Sequence, residues 1–232
     1  METGRRWDGL IMDLSLHHLT RFPASHTPTA DSVYPTILAL HGRGSNERDL
    51  IGLAPYLPQE LFWISPRGPH TLGINSYEWY RVKKIGEPDP EQITSTLKLI
   101  DRFIDEILMI YPIDPQKLFL LGFSQGSILS MCYILSRPYK VAGAIAQSGY
   151  IPKDIPRRED FKIIESDVKD KPILVTHGQE DTMIPVDWAR ASRDLLQKLG
   201  LYLSYYEFNM GHQVSTESLA AINTWLEKQL QA

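Results

Sequence analysis

The chain has 232 residues, 43% hydrophobic and 22% charged, the balance of a soluble globular protein with room for one sizeable core. Its net charge of −4, with acids and bases mixed along the chain, excludes the clustered basic surface of a nucleic-acid binder, and a single cysteine, Cys132, excludes an intrachain disulfide. No apolar run approaches the ~20 residues of a membrane span, and METGRRWDGLIMDL lacks the apolar stretch of a secretory signal, so a cytoplasmic protein without stable membrane insertion is expected.

Residues 1–35 read as an N-terminal strand extension, with strand character around Leu16–Phe22 and then a turn region. Thr36–Leu40 (TILAL) is a short buried strand running into HGRGSN. Asp49–Leu57 has the look of a short helix stopped by Pro58, and Leu61–Ser65 (LFWIS) that of another strand. Pro66–Pro90, rich in Pro, Gly and aromatics, is expected to pass over the sheet edge. Gln92–Ile110 sets Ile93, Leu97, Ile100, Ile104 and Leu108 on one helical face. Lys117–Phe123 is a central strand followed by a helix over Gln125–Leu135. Val141–Ala146 is the next strand, Tyr150–Lys171 a surface excursion, and Pro172–Thr176 a strand. A helix over Val186–Leu199 ends at Gly200, Leu201–Phe208 is a strand, and Thr216–Leu230 is an amphipathic closing helix. Alternating strands and helices predict one α/β domain over residues 1–232, a mostly parallel sheet with helices on both faces and no large cap domain.

Gly122-Phe-Ser124-Gln-Gly126 is a G-x-S-x-G pentapeptide between a strand and a helix, the setting of a nucleophile elbow. The turn is so tight that residues two positions either side of the serine must be glycine. The serine then sits at a helix N-terminus, where N–H groups and the dipole favour developing negative charge. Its hydroxyl needs a base. His17, His18, His26 and His70 read as surface residues, and His41 and His177, each ending a buried strand as His-Gly, as structural ones. His212, in the turn before the last helix, is the candidate base. Asp181 is the candidate acid, with Glu180 its competitor, and Asp187 suits the first turn of the following helix. The order Ser124, Asp181, His212 is that of α/β-hydrolases. Backbone N–H groups of Gln125 and Arg43 are candidates for the oxyanion hole, although the Gly-rich 41–46 loop reads equally as a plain tight turn. Leu72, Ile74, Tyr77, Trp79, Met183 and Ile184 are candidate acyl-pocket residues, or else ordinary packing.

LHGRGSNERDL, SPRGP, GFSQGS, HGQEDTMIP and MGHQV, in this order from about Thr36 onward, resemble the phospholipase/carboxylesterase family, which includes small bacterial carboxylesterases and acyl-protein thioesterases. The resemblance implies a compact α/β-hydrolase without metal or organic cofactor. It places Ser124, Asp181 and His212 at the family triad and Arg43 and Gln125 at its oxyanion donors. Many members carry an apolar residue in place of Arg43. The expected activity is a serine carboxylesterase acting on short- to medium-chain esters, with acyl thioesterase or lysophospholipase as the alternative and an inactive binding protein as the rival of another class. The expected partner is a small-molecule ester, with a homodimer left open.

Overall fold

The computed structural model describes residues 14–24 and 32–231. Much of the expected N-terminal extension therefore lies outside the described residues. Seven strands form one sheet: β1 (His18–Arg21), β2 (Tyr34–Leu40), β3 (Phe62–Pro66), β8 (Ile113–Phe123), β9 (Gly143–Gln147), β10 (Pro172–Gly178) and β11 (Tyr202–Phe208). Their spatial order is β1-β3-β2-β8-β9-β10-β11, and only β1 runs antiparallel to its neighbour. Two small hairpins, β4 (His70–Gly73) with β5 (Ser76–Glu78) and β6 (Val82–Lys84) with β7 (Glu87–Pro88), make up most of the expected 66–90 excursion.

Period-two alternation divides the core between the two faces of the sheet. Leu38, Leu40, Leu118, Leu120, Ala144 and Val175 point into one cluster, which holds Leu97, Ile100 and Ile104 of α1 (Pro90–Ile110), Leu129 and Met131 of α2 (Gln125–Ser136) and Leu196 of α4 (Val186–Lys198). Their neighbours Ile37, Ala39, Phe119, Leu121, Ile145 and Leu174 point the other way, onto Ile222, Trp225 and Leu226 of α5 (Thr216–Gln231). Helices thus cover both faces, as the continuous apolar runs of the central strands demand.

Local sequence sets the boundaries. Asp89 caps α1 by accepting from the Glu91 and Gln92 N–H groups, with Pro90 in the first turn. Gly200 adopts φ +76° directly after α4, the left-handed stop that glycine makes without strain. The expected 49–57 helix is a 3₁₀ helix over Leu50–Tyr56 that carries Pro55 inside it, and β8 begins four residues before the expected Lys117. The 150–171 excursion contains only a 3₁₀ turn at Ile155–Arg157 and the one-turn α3 (Glu165–Val168).

Candidate active site

The parallel strands bring their C-terminal ends to one edge of the sheet, and every element of the site leaves from that edge. Ser124 lies between β8 and α2 with φ 53° and ψ −113°, a conformation strained for a residue with a side chain. The packing that enforces it explains both glycines. A Cβ on Gly122 would collide with the Gly126 carbonyl, and one on Gly126 with the Leu40 carbonyl at the end of β2. The turn is further fixed by the Ser124 N–H donating to the Gln147 carbonyl at 2.9 Å.

His212 reaches this turn from the loop between β11 and α5. Its Nε2 is 2.9 Å from Ser124 Oγ and its Nδ1 is 2.7 Å from Asp181 Oδ2. A carboxylate only accepts, so Nδ1 carries the proton and Nε2 faces the hydroxyl as an acceptor. The Phe123 ring, with its centroid 5.0 Å from that of the imidazole, backs the histidine. Asp181 is buried, and its other oxygen accepts from the Met183 and Ile184 N–H groups at 2.9 and 2.8 Å. Glu180 and Asp187 are exposed, and Asp187 pairs with Arg190 on α4, so neither is placed to hold the imidazole. A Cβ on Gly178 would strike the Met210 and Gly211 carbonyls; this close approach brings the histidine loop onto the acid turn.

His41 and His177 are buried, and burial holds both below the usual histidine range. The Gly68 N–H donates to His41 Nε2 at 2.9 Å, so His41 Nδ1–H donates to the Gly42 carbonyl at 2.7 Å and secures the loop after β2. His177 Nε2–H donates to the Ile184 carbonyl at 2.8 Å and so braces the turn that cradles Asp181.

Arg43 and Gln125 both border the same cavity as Ser124. Gln125 is the first residue of α2, where a backbone N–H has no intrahelical partner. A four-residue strap, Tyr77–Tyr80, ties the two candidate donors together. The Tyr77 carbonyl accepts from the Gly44 N–H at 2.7 Å, and Glu78 Oε2 accepts from Arg43 Nε at 2.8 Å. The Trp79 N–H donates to Gln125 Oε1 at 2.8 Å, and Gln125 Nε2 donates to the Tyr80 carbonyl at 2.6 Å. Trp79 Nε1 adds a bond to the His41 carbonyl.

The cavity beside Ser124 and His212 has a volume of about 370 Å³. Its apolar wall includes Val82, Ile85, Pro88, Ile128, Tyr150 and Ile184, with Met183 at the edge. Of the expected pocket residues, Met183 and Ile184 are in place. Leu72, Ile74 and Trp79 are not: Leu72 and Ile74 are exposed on the β4–β5 hairpin, Ile74 at 96%, while Trp79 is fully buried in the strap. Tyr77 is likewise outside the cavity and bridges to Ser45. The second hairpin, Ile128 one turn into α2 and Tyr150 after β9 take the missing places. Ile128 is not among the residues expected of the pocket; its place one helical turn beyond the serine was the available signal.

A model of the Phospholipase/Carboxylesterase family matches residues 27–230. The chain belongs to this family. It is 30% identical over 213 residues to acyl-protein thioesterase 1 of Kluyveromyces lactis, covering 84% of this chain and 91% of that protein. A probable carboxylesterase, SOBER1-like, of Arabidopsis thaliana is 26% identical over 211 residues, covering 84% of this chain and 79% of the relative. The crystal structure of the Bacillus cereus carboxylesterase superposes with a TM-score of 0.79 at 22% identity, over 92% of this chain and 94% of that one, and shares its α/β-hydrolase fold. Within the Phospholipase/Carboxylesterase frame, Arg43 is joined to a buried partner, Glu78, by a direct ion pair. Among the described residues, no group of three or more His, Cys, Asp or Glu side chains is placed to hold a metal ion, and no helix is long and apolar enough to cross a membrane.

Proposed function

We propose that the protein hydrolyses carboxylic esters through an acyl-enzyme on Ser124. The observation that carries this reading is the unbroken series from Ser124 Oγ to His212 Nε2 at 2.9 Å and from His212 Nδ1 to Asp181 Oδ2 at 2.7 Å. In this reading His212 takes the hydroxyl proton as Ser124 attacks the acyl carbon, and Asp181 holds the tautomer and balances the imidazolium. The Arg43 and Gln125 backbone N–H groups receive the oxyanion. His212 returns the proton to the leaving alcohol, and water then repeats the sequence to free the acid. The apolar wall formed by Ile128, Tyr150, Val82 and Ile184 favours an uncharged acyl chain of short to medium length. Thioesters pass through the same acyl-enzyme, and the 30% identical relative named an acyl-protein thioesterase keeps that reading beside the first.

A series of p-nitrophenyl esters with acyl chains of increasing length, run beside matched acyl thioesters, tests the proposal. Hydrolysis rising to about butyrate or hexanoate and then flattening is expected, as methylenes beyond the pocket remain in water. A continuous rise to palmitate, or a large preference for thioesters, replaces the short-chain esterase reading with the thioesterase or lysophospholipase one.

A further inference from the structure

The cavity is divided by charge. Its deep wall is apolar and buried, with Ile128, Ile184 and Tyr150 all less than a tenth exposed. Among the described residues its rim carries two cations, Arg43 and Lys84, whose side chains are 49% and 76% exposed, and no aspartate or glutamate lines it. Arg43 is anchored at this rim by one ion pair. Its Nε is bonded at 2.8 Å to Glu78, a carboxylate buried behind it, and this is its only hydrogen bond from the side chain to a described residue. The pair is therefore a dipole with its positive end outward, and the guanidinium fork has donors to spare at the cavity that Ser124 also lines. Lys84 stands on the β6–β7 hairpin with Glu87 only loosely paired, at 3.4 Å between exposed groups.

We propose that the preferred substrate carries an anionic group, a carboxylate or a phosphate, on its leaving-group side, received at the rim by Arg43 and Lys84. This rests on the ester-hydrolase reading above and adds the charge of the substrate to it. The acyl chain occupies the apolar depth, where a charge would be desolvated without a partner. The anion stays at the half-exposed rim, where the fixed guanidinium meets it at little cost in order.

The test compares 4-butanoyloxybenzoate with its neutral counterpart 4-butanoyloxybenzamide, each rate referred to the alkaline hydrolysis of the same ester. The wild-type protein is expected to favour the benzoate in kcat/KM by roughly fivefold, the scale of one partly exposed ionic contact, mainly through KM. Raising the salt to ~0.5 M should shrink the preference. Lys84→Gln should lower the ratio while the benzamide is still turned over; the paired change Arg43→Gln with Glu78→Gln, which leaves no buried charge unmatched, is read only by the benzoate-to-benzamide ratio, which it should also lower whatever it does to the two rates together. Should the paired variant fold poorly, Lys84→Gln decides alone. Equal rates for the two esters, or a ratio that neither variant changes, overturn the charge assignment. Failure of the wild-type protein to hydrolyse either ester overturns the ester-hydrolase reading beneath it.

Discussion

Asp181→Asn probes the proposed acid through a conflict that the structure makes specific. One Asp181 oxygen accepts two backbone N–H groups, from Met183 and Ile184, and the other accepts His212 Nδ1–H at 2.7 Å. An asparagine has one oxygen for these two tasks. With the oxygen toward Met183 and Ile184, its NH₂ faces His212 and demands an unprotonated Nδ1. The proton then moves to Nε2, which points a donor at Ser124 and can no longer accept. The flipped amide restores the tautomer but leaves the buried Ile184 N–H and the part-buried Met183 N–H facing an NH₂, at about 1–3 kcal/mol for the buried donor. The first arrangement therefore wins, and kcat should fall by about 10⁴-fold, the loss seen when a serine protease is trapped in the wrong tautomer. Glu180→Gln, on an exposed side chain, should stay within about twofold of wild type. Initial rates on p-nitrophenyl butyrate, with folding checked by circular dichroism, measure both. An Asp181→Asn variant with a tenth or more of the wild-type kcat, or a Glu180→Gln variant equally impaired, refutes the reasoning.

Gly126→Ala should cost about 3 kcal/mol or more in chemical denaturation and remove activity, because its Cβ meets the Leu40 carbonyl. Arg43→Ala strands the buried Glu78 and should destabilise by about 1–2 kcal/mol, less than a fully buried pair because the guanidinium is half-exposed and screened by solvent; adding Glu78→Gln should recover most of that loss. Glu47 is held down to about 2 by its bidentate bonds to Arg67 at 2.6 and 2.7 Å. A depressed carboxylate contributes stability that is full above its unfolded value of 4.5 and lost as pH falls toward about 2, on the order of 3 kcal/mol in all. Glu47→Gln should therefore be less stable at pH 7 and show a flatter decline between pH 4.5 and 2, read from urea midpoints. Burial pushes the Cys132 thiol up to about 12, so a thiol reagent at pH 8 should label it only after denaturant is added.

The sheet was legible because parallel strands buried on both faces leave continuous apolar runs such as TILAL and PILVT. Ser124, Asp181 and His212 were expected together from the strand–turn–helix setting of GFSQG, from their turns at strand ends and from chain order, and the structure sets the three side chains within hydrogen-bond distance. The pocket wall was not. The 66–90 segment is two hairpins, and an apolar residue there can face solvent, the strap or the cavity; Ile74, Trp79 and Val82 illustrate the three outcomes. Composition does not separate them, since the choice depends on the tertiary contacts of each hairpin, the first with the loop after β2 and the second with Trp188 and Tyr150. The Arg43–Glu78 pair spans 35 residues of sequence and follows from no local pattern.

The most direct test of the account is covalent labelling of Ser124. The wild-type protein is treated with a fluorophosphonate and its intact mass is followed, with peptide mapping to locate the adduct. The account predicts one adduct per chain, on Ser124, formed slowly or not at all in Ser124→Ala and His212→Ala. No adduct on the native protein, or equal labelling of Ser124→Ala, would contradict it.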